Sequence, residues 1–94
     1  MEPIEKPADP MEALRARFLA RTAEDLETLR ACDEPADLRP MIHRLAGSAG
    51  TFGFAEISAL AGALDDRLHA GERVARADLT SLIAALEAIT RPPA

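Results

Sequence analysis

One histidine stands out by its company. His43 lies in the run LRPMIHRLAGSAGTFGF, residues 38–54. On a helical wheel at about 100° per residue, Leu38, Met41, Ile42, Leu45, Ala49 and Phe52 share an arc turned away from it. When that arc is buried the imidazole points outward. Its neighbours on the outer face are Arg39, Ala46, Gly47 and Gly50. A solvated helical face normally carries long charged side chains, and a glycine inside a helix costs about 1 kcal/mol against alanine. Small residues beside an exposed ring leave room for another protein to approach it. The wheel turns Gly47 and Gly50 away from the apolar arc, which argues against a helix-packing role for them.

A neutral imidazole is a nucleophile near neutral pH. Attack on a phosphoryl donor would give an N-phosphoryl histidine, which needs access, a nearby positive charge and no competing carboxylate, and the His43 face is expected to supply all of these. Arg39, one turn before His43, offers a guanidinium on the same face, and Arg44 offers one about 100° round. The chain has no glycine-rich phosphate loop with its lysine and no carboxylate cluster of the kind a nucleotide-bound metal needs. The chemistry that fits is a histidine that takes and passes on phosphate without making it from ATP: a carrier, not a kinase.

The elements that must position His43 follow from periodicity. Asp9-Pro10 reads as an N-cap followed by proline at the first helical position. Leu14, Phe18, Leu26 and Leu29, with Met11 and Thr22, then mark an amphipathic helix ending near Cys32. Asp33-Glu34-Pro35 breaks it. Asp37 is placed to cap the second helix, with Pro40 in its first turn, and glycines end that helix at or just after Gly50. Ile57, Leu60, Ala61, Leu64 and Leu68 mark a third helix, closed by His69-Ala70-Gly71. Leu79, Leu82, Ile83, Leu86 and Ile89 mark a fourth, stopped by Arg91-Pro92-Pro93. Four amphipathic helices with short connections predict an all-α, antiparallel up-down four-helix bundle over residues 10–91. Residues 1–9, with Pro3 and Pro7 among charges, are expected to be extended or disordered, and 92–94 to form a tail.

The segment His43-Arg44-Leu45-Ala46-Gly47-Ser48-Ala49-Gly50-Thr51-Phe52-Gly53-Phe54 resembles the signature of histidine-phosphotransfer (HPt) domains, with His43, Leu45, Gly47, Ser48, Ala49 and Gly53 in register. The resemblance extends over about residues 10–90 in length and helix count. It implies that His43 is the phospho-accepting residue. Arg39, Arg44, Ala46, Gly47 and Gly50 would then surround the phosphate or the docked partner. It also implies partners: receiver domains of response regulators, which bring the acceptor aspartate and the Mg²⁺, and a hybrid sensor kinase. No cofactor or metal of the chain's own is implied. One departure stands out. The family often has lysine three residues after the histidine; here that residue is Ala46, and the chain's one lysine is Lys6. The departure motivates an alternative, a catalytically silent bundle that binds a receiver or sensor kinase.

Composition narrows the rest. Among 94 residues, 48% are hydrophobic and 3% aromatic, and the formal charge is −5. An acidic chain with three Phe and no Trp or Tyr is a poor match to a phosphate backbone or a base-stacking platform. No apolar run approaches a membrane span. The single cysteine, Cys32, excludes an internal disulfide. Neither histidine has glutamate three residues before it, against a di-metal carboxylate site in the bundle core. The expectation is a cytoplasmic monomer, free-standing, with no nucleic-acid or membrane partner.

Overall fold

In a computed structural model, residues 10–91 are described; the expectations for 1–9, for Asp9 as a cap and for 92–94 lie outside them. Four α-helices follow in order: α1 (Pro10–Ala31), α2 (Arg39–Thr51), α3 (Ala55–His69) and α4 (Thr80–Thr90). Short 3₁₀ turns, Pro35–Leu38 and Arg76–Leu79, lead into α2 and α4. No strand occurs among the described residues. The architecture is the all-α four-helix bundle expected from the periodicity.

The core is built from one stripe per helix. Phe18, Leu26 and Leu29 come from α1, Ile42, Leu45 and Ala49 from α2, Ile57, Ala61 and Leu64 from α3, and Leu82 and Leu86 from α4. Val74 and Leu79, from the segment before α4, join them. α2 packs mainly on α3, and α1 on α4. The small buried residues Ala49 and Ala61 keep bulk out of the interior on the α2 and α3 stripes.

Two glycines stop helices by the same device. Gly53 and Gly71 have φ of +86° and +80°, the left-handed region that glycine enters without a Cβ penalty. After α2, Phe54 N–H donates to the Ala49 carbonyl and Gly53 N–H to that of Gly50. After α3, Glu72 N–H donates to Arg67 and Gly71 N–H to Leu68. Both are Schellman closures, which satisfy carbonyls a helix end leaves open. The first allows α2 and α3 to be joined by residues 52–54 alone, so the two helices must run antiparallel.

Two expectations shift. Asp37 does not cap α2. The 3₁₀ turn begins at Pro35 and runs directly into α2, so Asp37 sits within helical backbone and Leu38 occupies the cap position without a side-chain bond. Met11 and Leu14 are about half exposed; burial on α1 begins at Phe18, because the preceding helical residues are all exposed. The carbonyls at the end of α1 are closed from a distance: the Arg76 guanidinium donates to the carbonyls of both Arg30 and Cys32.

Candidate functional site

His43 is on the seam between α2 and α3. The register of that seam is regular: Arg39 faces His69, His43 faces Asp65, and Gly50 faces Ser58. Each step along α2 is matched by an equal step back along α3, as antiparallel packing requires.

The His43 side chain is 73% exposed, so the outward position read from the wheel is observed. Its Nδ1 lies 2.8 Å from Asp65 Oδ2, while Asp65 is largely covered, its side chain 14% exposed. A carboxylate accepts, so His43 Nδ1 carries the hydrogen. In the neutral ring the lone pair is then on Nε2. The hydrogen bond from His43, aided by the charges of His43 and Arg39, holds the Asp65 carboxyl below its ordinary pKa against an opposing desolvation effect.

Arg39 extends this arrangement. Its Nε is 3.4 Å from Asp65 Oδ1, an ion pair without hydrogen-bond geometry. Its Nη2 is 2.8 Å from His69 Nδ1. Four side chains thus form one chain, His43–Asp65–Arg39–His69, alternating between α2 and α3. Arg39, Pro40 and His43 line an open groove beside the ring.

The other sequence-predicted residues divide. Gly47 is open on the His43 face: a Cβ built there meets nothing within 4 Å. Gly50 is exposed but also packs. A Cβ at Gly50 would lie 3.1 Å from Ser58 Oγ, and that hydroxyl donates to the Ala46 carbonyl at 2.7 Å. The missing side chain at Gly50 makes room for this α3-to-α2 bond, a packing role the wheel had argued against. Ala46, half-buried, contributes its carbonyl rather than a charge. Arg44 is not gathered with His43. Its Nη2 is 3.1 Å from both carboxylate oxygens of Asp25, a buried residue of α1. That pair ties α1 to α2 and compensates a carboxylate inside the bundle.

Asp65, His69 as a partner of Arg39, and Asp25 were missed from sequence, and Asp65 puts a carboxylate beside the His43 ring where none was expected. A signal existed for two of them. Asp65 falls one turn after Ala61, and Asp25 one turn before Leu29, so each carboxylate sits on or beside an apolar stripe.

Among the described residues, no group of three or more His, Cys, Asp or Glu is arranged to hold a metal ion. No helix among them is long and apolar enough to cross a membrane. The search of curated proteins and the search of solved structures each gave no match. The family model described as Hpt domain matches residues 13–91, from the second turn of α1 to just past the end of α4. The chain belongs to the Hpt domain family, and through it to the phosphotransfer-related modules of two-component signalling.

Proposed function

We propose that the protein is a phosphoryl carrier that accepts phosphate on His43 Nε2 from a receiver-domain phosphoaspartate and donates it to another receiver aspartate. One observation carries the reading: an exposed imidazole whose Nδ1–H is engaged by a shielded carboxylate, which leaves the lone pair on Nε2. In the forward step this lone pair attacks the phosphorus of the acyl phosphate. The P–O bond to the partner's aspartate breaks, and that aspartate leaves as a carboxylate. The hydrogen on Nδ1 stays shared with Asp65, whose charge offsets the positive charge the ring acquires. Onward transfer reverses these bonds at a second receiver.

Gly47 leaves the approach to the ring open, and Arg39 lines the groove beside it. It supplies the positive charge that lysine often supplies elsewhere in the family. A carrier of this kind takes its phosphate from a partner rather than from ATP, and has no kinase activity of its own. Mg²⁺ belongs to the receiver, as does the acceptor aspartate. Receiver domains and a hybrid sensor kinase are the partners this reading names, met as a monomer in the cytoplasm. The encounter is transient, with a small interface.

The test mixes the protein with a labelled phosphorylated receiver. Acid-labile label moving to the wild type and not to His43→Ala supports the carrier. Tight receiver binding that survives His43→Ala, with no label moving to either form, supports a silent binding module instead.

A further inference from the structure

The chain has two histidines, both on the exposed surface, and the seam treats them in opposite ways. His43 Nδ1 faces a carboxylate, which only accepts, so that nitrogen bears the hydrogen. His69 Nδ1 faces the Arg39 guanidinium, which only donates, so that nitrogen presents its lone pair and the hydrogen of the neutral ring is on Nε2. The Nε2 of His43 is therefore the nucleophilic one, and the Nε2 of His69 is blocked by its own proton.

We propose that His69 is a positioning residue for phosphotransfer, acting through Arg39 and Asp65 on the tautomer of His43. The proposal rests on the carrier reading for its reaction, but its geometry stands apart from that reading. Arg39 Nε and Asp65 Oδ1 are both buried atoms without a hydrogen-bond partner among the described residues, and they face each other at 3.4 Å. Nothing else described fixes that oxygen, so the orientation of the carboxylate depends on where the guanidinium is held. The guanidinium is held at its far end by His69. A side chain as long as arginine loses several rotors when fixed, and the His69 acceptor offsets part of that cost. Anchored there, Arg39 aligns Asp65, and Asp65 holds His43 in its Nδ1–H form. By the same bond, His69 is kept from competing for phosphate.

The full chain, labelled with ¹⁵N in its imidazoles, tests this by NMR, which reports each ring's tautomer without any phosphoryl donor. His69→Ala is expected to move His43 from the Nδ1–H form toward a mixture, and His69→Gln, whose Oε1 accepts from Arg39, to restore it. Phosphorylation of His43 by phosphoramidate, a small donor, is expected to slow about three- to tenfold in His69→Ala, the size of a coupling within one hydrogen-bond network, and to recover in His69→Gln. A His43 tautomer unchanged in His69→Ala overturns the proposal. So does an equal shift in both variants, which would make ring packing, not the acceptor, the cause. If the tautomers respond as expected but no form takes phosphate, the carrier reading fails and the positioning chain stands.

Discussion

His43 Nδ1 donates to Asp65 Oδ2 across 2.8 Å, from α2 to α3, and this bond leaves the lone pair of the neutral, exposed ring on Nε2. Asp65→Asn separates the bond from the bulk of the side chain. An amide that turns its NH₂ toward Nδ1 would select the opposite tautomer, with the hydrogen on Nε2. Phosphorylation of His43 by phosphoramidate is expected to slow by about tenfold or more, as when the partner that orients a functional imidazole is lost. Thermal unfolding verifies that the variant is folded.

Arg44 and Arg39 are expected to separate cleanly. Arg44→Ala leaves the buried Asp25 carboxylate unpaired, at a cost of about 2 kcal/mol. Urea unfolding reads this as a lower midpoint. Phosphorylation by the small donor should be unchanged in that variant, because the Arg44 guanidinium is engaged at α1 rather than at the ring.

Gly47→Ala should trade recognition for stability. A methyl group there meets nothing within 4 Å, and alanine favours the helix by about 1 kcal/mol. The unfolding midpoint is expected to rise. Uptake from phosphoramidate should hold, while uptake from a phosphorylated receiver falls, because the methyl stands on the approach to His43.

Acid should weaken the fold through two carboxylates. Asp65 is lowered by the His43 hydrogen bond, and Asp78 by the backbone N–H of Ala75, each against some desolvation. A carboxyl with a lowered folded-state pKa contributes stability that is complete above the unfolded value, about 4, and is lost as pH falls through the folded value. Urea midpoints measured from about pH 6 down to pH 3 should decline, and Asp78→Asn should decline less steeply than the wild type.

The helices were legible because each repeats an apolar stripe at 3.6-residue spacing, and the ends of α2 and α3 because Gly53 and Gly71 supply the left-handed residue a Schellman closure needs. The outward His43 was legible for the same reason, since one helix and its buried arc suffice to place it. The partners of His43 were not. Asp65 lies 22 residues away, and the register between α2 and α3 depends on how Gly50 and Ser58 interlock, which no single-helix pattern fixes. Gly50 shows the limit most clearly: it shares an outer face with His43 yet meets α3, because the helices approach closely enough for the seam to extend past the apolar arc. Arg44 was ambiguous at 100° from His43, and the buried Asp25 on α1 resolves it.

If the protein is a carrier, His43 holds the phosphoryl group on Nε2. The most direct measurement incubates the chain with a phosphorylated receiver domain and Mg²⁺, then locates the phosphorus by ³¹P and ¹⁵N NMR of the product. One phosphohistidine is expected, at His43, bonded through Nε2, and none in His43→Ala. Phosphate on His69, bonding through Nδ1 of His43, or equally little uptake by wild type and His43→Ala would contradict it.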